Sequence, residues 1–178
     1  MLSERQLTAL ARKAFQQLQR QNAKIVLAES CTGGLVSALL TRIPGVSQFH
    51  CGSAVVYQVA TKEEWLRVPA SLLRNPGPVS REVASRMASG ALAITPHADV
   101  AAAVTGHLGP GAPAAQDGRV YVAFARRSPK GRKTQSVVRK VELSNEPGDE
   151  LKNPELRRLR RQRSAAAHLI ELVIEQLS

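Results

Sequence analysis

The sequence predicts an α/β fold, a layered sheet with parallel strands first and an antiparallel hairpin last. Three observations carry this prediction. Helix-like and strand-like segments alternate through the first two thirds of the chain, which favours a layered sheet. The short apolar run AKIVLA (23–28) has the character of a strand buried within that sheet. Two further strand-like segments, RVYVAFA (119–125) and TQSVVRKVEL (134–143), flank the turn sequence SPKG (128–131) and form a hairpin.

The elements follow in order. Leu7, Leu10, Ala11, Ala14 and Leu18 recur at helical spacing, and Ser3 with Gln6 makes a capping box ahead of them. After the first strand, GLVSALLTRI (34–43) reads as a helix that stops at Pro44. GSAVVYQ (52–58) is the next strand, and TKEEWLRV (61–68) a short helix starting near Thr61. PVSREVASRMASGALAI (78–94) is helical, with Ser80 as N-cap and Val83, Met87, Ala91 and Ile94 facing inward. ADVAAAVTG (98–106) is the third strand and runs into the loop HLGPGAPAAQDG (107–118). A polar stretch, SNEPGDELKNP (144–154), precedes a last helix carrying Leu159, Ala166, Leu169, Val173 and Leu177. With no internal repeat and no dividing linker, residues 1–178 are expected to form one domain.

At 178 residues and 43% hydrophobic, the chain has enough apolar mass for one core. It has no run of about 18 apolar residues and no signal-like leader, so a soluble cytoplasmic protein is expected, away from membranes. Two cysteines make no disulfide framework, which suits a reducing compartment. The net charge of +11 gathers in RRSPKGRK (126–133) and RRLRRQR (157–163). Such clusters are either a solvated surface or a field for an anionic ligand. Aromatics are only 3% of the chain, with no interleaving for base stacking, so any contact with nucleic acid is expected to be weak. His50, His97 and His168 are scattered without ligand spacing, and no metal is expected.

In layered sheets of this kind, ligands bind at loops beyond the carboxyl ends of parallel strands. Two loops qualify, ESCTGG (29–34) and TGHLGPG (105–111). The first packs a carboxylate, two hydroxyls, a thiol and two glycines into a strand–turn–helix passage. Its amides can hold a phosphate or an oxyanion; alternatively Gly33 and Gly34 only permit a tight turn, with Ser30 or Thr32 as the cap.

AESCTGG (28–34) after a strand, YQVATK (57–62), GPVSREVA (77–84), and TGHLGP (105–110) followed by DGRVYVAFA (117–125) resemble, in order and spacing, the CinA carboxy-terminal domain family. The resemblance covers about residues 3–177. It implies a three-layer α/β/α sandwich around a mixed sheet, in the free-standing form without the amino-terminal domain to which such modules are often fused. That family includes amidases that hydrolyse nicotinamide mononucleotide to nicotinate mononucleotide and ammonia. The resemblance therefore implies a small nucleotide substrate, no cofactor, and a homo-oligomer.

It also implies a Ser–Lys mechanism. Ser30 matches the motif serine and would attack the carboxamide; Lys62 matches the lysine five residues after the motif tyrosine, Tyr57, and would take the proton. Lysine ordinarily titrates at about 10.4, so Lys62 must be desolvated or set beside positive charge to act as a base. Tyr57 either orients this lysine or packs on the core. Cys31 is either a rival nucleophile or a small buried thiol, and Glu29 either pairs with a basic group or holds the turn. Thr32, Gly33 and Gly34 would offer amides; Thr105, Gly106, His107 and Gly109 would form the second ligand loop; Arg160, or Arg161, aligns with an arginine ahead of the last helix.

The chain departs from the family's pattern at several places. Thr105 stands for a serine, His107 for an aliphatic residue and Leu108 for a small one. Gln58 and Val59 stand where the family has serine and asparagine, and the segment before the last helix is longer. Two readings follow: an amidase of the family's kind, or a catalytically silent or substrate-altered module that binds another nucleotide or nucleic acid.

Overall fold

The computed structural model describes residues 2–128, 134–147, 149–150 and 152–178. Most of the turn SPKG, and with it part of the first arginine-rich cluster, lies outside them. Helix α1 (Glu4–Gln21) begins at the expected capping box: the Ser3 hydroxyl accepts from the Gln6 amide, and the Gln6 side chain accepts from the Ser3 amide at 2.8 Å. Leu7, Ala11, Ala14, Phe15 and Leu18 form its buried stripe.

The five strands are β1 (Ile25–Glu29), β2 (His50–Val55), β3 (Val100–Gly106), β4 (Arg119–Arg126) and β5 (Gln135–Glu142). They form one mixed sheet in the order β2-β1-β3-β4-β5. The first three are parallel, and β4 and β5 add the antiparallel hairpin. Between them lie α2 (Leu35–Thr41), α3 (Val59–Leu66), the short α4 (Ala70–Arg74) and α5 (Arg81–Ile94), with α6 (Pro154–Leu177) last. Ile25, Leu27, Val100, Ala102 and Val104 pack with residues of α1, α2 and α6 on one face. Val26, Ala28, Ala101 and Ala103 pack with residues of α3 and α5 on the other. The period of two along each strand thus supplies two cores and three layers.

Some details differ from the sequence pattern. Ile94, expected inward, is 53% exposed because it is the last residue of α5, where the chain is already leaving the helix. Leu159 is 41% exposed: burial of α6 begins at Arg161, and the turns before it overhang the core. Helix α3 starts at Val59, earlier than Thr61.

Helices α3 and α5 cross at Gly90, where an added Cβ would stand 2.1 Å from the carbonyl oxygen of Leu66. That close approach brings α3 down onto the ends of the strands. Gly90→Ala should therefore destabilise the fold by about 1–3 kcal/mol, the usual penalty for overpacking, read as a lowered midpoint in urea unfolding. An unchanged midpoint would show that this helix contact is not tight.

Candidate active site

The turn after β1 is locked from within. Glu29 is fully buried, and its carboxylate accepts from the Thr32 hydroxyl (2.7 Å), the Val36 and Ser37 amides (3.0 and 2.9 Å) and the Ser53 hydroxyl (3.2 Å). Its charge lies against the first amides of α2, where a helix end favours an anion. Of its two expected roles, Glu29 takes that of holding the turn. Gly34, at φ 95°, precedes α2 in the left-handed conformation that a side chain resists.

The next residue points the other way. Glu29 pairs in register with Val104, and the Ser30 amide donates to the Val104 carbonyl at 3.0 Å. Ser30 and Thr105 are therefore neighbours at the carboxyl ends of adjacent parallel strands. Ala28 and Ala103 belong to the core on the α5 side, so the two-residue period directs Ser30 and Thr105 to that same side.

Lys62 arrives there from α3. It is only 2% exposed, and its Nζ donates to Thr105 Oγ1 at 2.9 Å and to the Pro78 carbonyl at 3.1 Å. Ser80 caps α5, accepting from the Val83 amide, and so fixes the chain that presents Pro78. Burial lowers the Lys62 pKa from its ordinary 10.5 to about 8, partly opposed by the nearby Cys31. The folded state holds this proton less tightly than the unfolded one, so stability rises with pH between about 8 and 10.5.

A cavity of about 240 Å³ opens at this point. It brings together Ser30, Cys31, Tyr57, Lys62, Thr105, Gly106, His107 and Gly109, all expected at the site. Val59, Pro78, Leu108 and Arg158 also line it, and no carboxylate does among the described residues. Glu29, Thr32, Gly33 and Gly34 lie behind its wall, and the Gly33 amide is engaged by the Ser30 carbonyl at 3.1 Å. Tyr57 is 59% exposed at the rim, neither packed in the core nor bonded to Lys62. Its hydroxyl instead accepts from Arg158 at 2.5 Å, while Arg158 also donates to the Gly109 carbonyl at 2.6 Å.

Among the arginines of α6, the sequence pointed to Arg160 or Arg161. Arg160 lines a separate hollow with Gln6, Glu146 and Ser164. Arg161 is buried and bonded to both Asp117 and Asp149, which ties the loop 107–118 to α6; the guanidinium holds the Asp117 carboxyl below the usual carboxylate range. Arg158 is the one of the three that reaches the cavity. The fold makes the choice: Arg158 and Gln162 are four residues apart on one helix face, and Gln162 donates to the Thr32 carbonyl, so that face looks at the turn. Among the described residues no cluster of three or more His, Cys, Asp or Glu could hold a metal ion, and no helix is long and apolar enough to cross a membrane.

These features define a class: an α/β/α sandwich with a serine and a desolvated lysine sharing a cavity at the carboxyl ends of its parallel strands. The particular family follows from comparison. The chain belongs to the CinA C-terminal domain family, whose pattern matches residues 7–146. A protein of Pseudomonas putida named nicotinamide-nucleotide amidohydrolase PncC is 41% identical over 120 residues, 66% of this chain and 74% of that one. A CinA-like protein of Mycobacterium sp. (strain JLS) is 46% identical over 125 residues, 70% of this chain but 28% of that protein. The chain thus spans under a third of the length of the CinA-like relatives it matches. The solved competence/damage inducible protein CihA of Agrobacterium tumefaciens is 30% identical with TM-score 0.76, covering 97% of each chain. A competence or damage-inducible protein of Enterobacter asburiae shares the fold at TM-score 0.81 and 22% identity, over 97% of this chain and 98% of that one.

Burial pushes the Cys31 thiol up to about 12, so it is protonated at neutral pH despite facing the cavity. In a Cys51→Ser background, native protein should react with iodoacetamide at pH 8 at least about a hundredfold more slowly than denatured protein. Comparable rates would restore the thiol as a candidate nucleophile.

Proposed function

We propose that this chain is an amidohydrolase that converts nicotinamide mononucleotide to nicotinate mononucleotide and ammonia, with Ser30 as nucleophile and Lys62 as base. The observation that carries the reading is the placement of Ser30 and the buried Lys62 in one cavity with no carboxylate lining it among the described residues. A lysine paired with a carboxylate keeps its proton; one desolvated among hydroxyls and carbonyls gives it up more readily. The similarity to the P. putida protein supports the substrate.

In the acylation step the Ser30 hydroxyl attacks the carboxamide carbon as Lys62 Nζ takes its proton. Thr105 Oγ1 and the Pro78 carbonyl hold the amine in place. The oxyanion is stabilised by backbone amides of the turn that follows Ser30. Lys62 then returns the proton to the departing nitrogen, which leaves as ammonia. Arg158, whose partners here are neutral oxygens only, supplies the positive charge for the substrate's phosphate.

Val59 and His107 favour the second reading, a changed ligand, because both line the cavity where the family carries other side chains. Ammonia release from nicotinamide mononucleotide decides between them. The rate should rise with pH through about 8 and then level, because the base must be unprotonated. Ser30→Ala should lower turnover at least about a hundredfold without unfolding the protein. Lys62→Arg, which keeps the charge but cannot shed a proton, should be as inactive as Lys62→Ala. An active Lys62→Arg enzyme with an unchanged pH profile would remove Lys62 as the base, and no ammonia from wild type would remove the substrate.

A further inference from the structure

We propose that His107 is a second base in this cavity, one that takes the proton of the water that hydrolyses the acyl-enzyme. The proposal rests on the amidase reading above. Three observations lead to it.

The first is placement. His107 stands two residues beyond Thr105, and its amide still pairs across to the Arg119 carbonyl at 2.8 Å, so the extended backbone of β3 continues through it. The two-residue period then puts its ring on the side of the sheet that carries Ser30, Thr105 and Lys62. It lines the cavity with all three.

The second is orientation. The Gly118 amide closes the loop onto the His107 carbonyl at 3.0 Å, and Arg161 anchors the adjacent Asp117 at 2.7 Å. These two ties hold the loop, and with it the backbone that carries the imidazole, against the mouth of the cavity. A base must be held in place by its surroundings to act on a bound intermediate.

The third is charge. The groups facing His107 are Lys62 from α3, Arg119 on β4, and Asp117 and Gln116 from its own loop. Burial and the two cations outweigh Asp117 and Gln116, and the ring titrates below its ordinary 6.5. At neutral pH the imidazole is thus unprotonated, while Lys62, titrating near 8, carries a proton in most molecules. Ammonia leaves Lys62 neutral, and at pH 7 the amine takes a new proton from solvent; so charged it cannot accept from water, and His107 can.

The water oxygen bonds to the acyl carbon, and one water proton passes to the unprotonated ring nitrogen of His107. The carbon–Oγ bond to Ser30 then breaks, and Oγ takes a proton from the Lys62 ammonium. Positive charge arriving on His107 helps expel that proton, since two adjacent cations repel each other. The product acid ionises, His107 returns its proton to solvent, and Lys62 is left neutral for the next turnover.

The test follows ammonia release and intact protein mass for wild type, His107→Gln and His107→Ala with nicotinamide mononucleotide at pH 7. The variants should give a burst of ammonia equal to the enzyme present, then a steady state at least about tenfold below wild type. Each should gain the mass of the substrate less ammonia, and added imidazole should speed His107→Ala. Wild-type turnover in both folded variants would overturn the proposal, as would slow turnover without an accumulated acyl-enzyme. Should one variant fail to fold, the other carries the same reading. A silent wild type overturns the amidase reading and this proposal together, a result distinct from failure at His107 alone.

Discussion

Burial of one lysine amine at the end of the sheet is the constraint around which this site is built. Taking an ammonium out of water costs several kcal/mol unless an opposite charge repays it, and Lys62 has only a hydroxyl and a carbonyl as hydrogen-bond partners. The surrounding structure sustains that cost. Gly90 lets α3 close onto α5, Ser80 fixes the chain that presents Pro78, and β3 carries Thr105, not an apolar residue, one position before its end. An amine that sheds its proton near pH 8 costs stability, which is recovered only above the pH where the unfolded lysine also loses its proton.

The strand period distributes the rest. Glu29 and Ser30 are adjacent, yet one looks into the layer of α2 and the other towards α3 and α5. The acidic side chain is spent on the turn, and among the described residues no carboxylate lines the cavity that holds Ser30. The same alternation carries Thr105 and His107 to the cavity while Val104 stays in the opposite core. On the far wall, Arg161 binds both nearby carboxylates, Asp117 and Asp149, so Arg158 faces the opening without one. The cavity's positive character is a matter of which arginines are neutralised, more than of how many there are.

The fold was largely legible from the sequence because its signals are local. Capping residues, strand-length apolar runs and the hairpin each announce themselves within about ten residues, and the structure places them as expected for α1, α5, β1 and β3. The site was legible in part. Ser30 and the loop at 105–109 stand out as polar residues at strand ends. Lys62, by contrast, reads as an exposed lysine beside Glu63 and Glu64, since its burial depends on a helix crossing set by Gly90, far off in sequence. Arg158 was hidden among identical neighbours, and only the helix's rotation against the turn separates it from Arg160 and Arg161. Tyr57 fits neither of its two expected places, beside the lysine or in the core, because its ring is exposed and its hydroxyl is turned to Arg158.

Lys62 is an uncommonly acidic lysine in the resting protein. The direct measurement follows the Lys62 Nζ resonance by nuclear magnetic resonance as pH is raised, with Lys62→Arg used to assign the signal. The expected midpoint is near 8, set apart from the other lysines of the chain. A midpoint with the rest, at about 10.4, would contradict it and leave the cavity without its base.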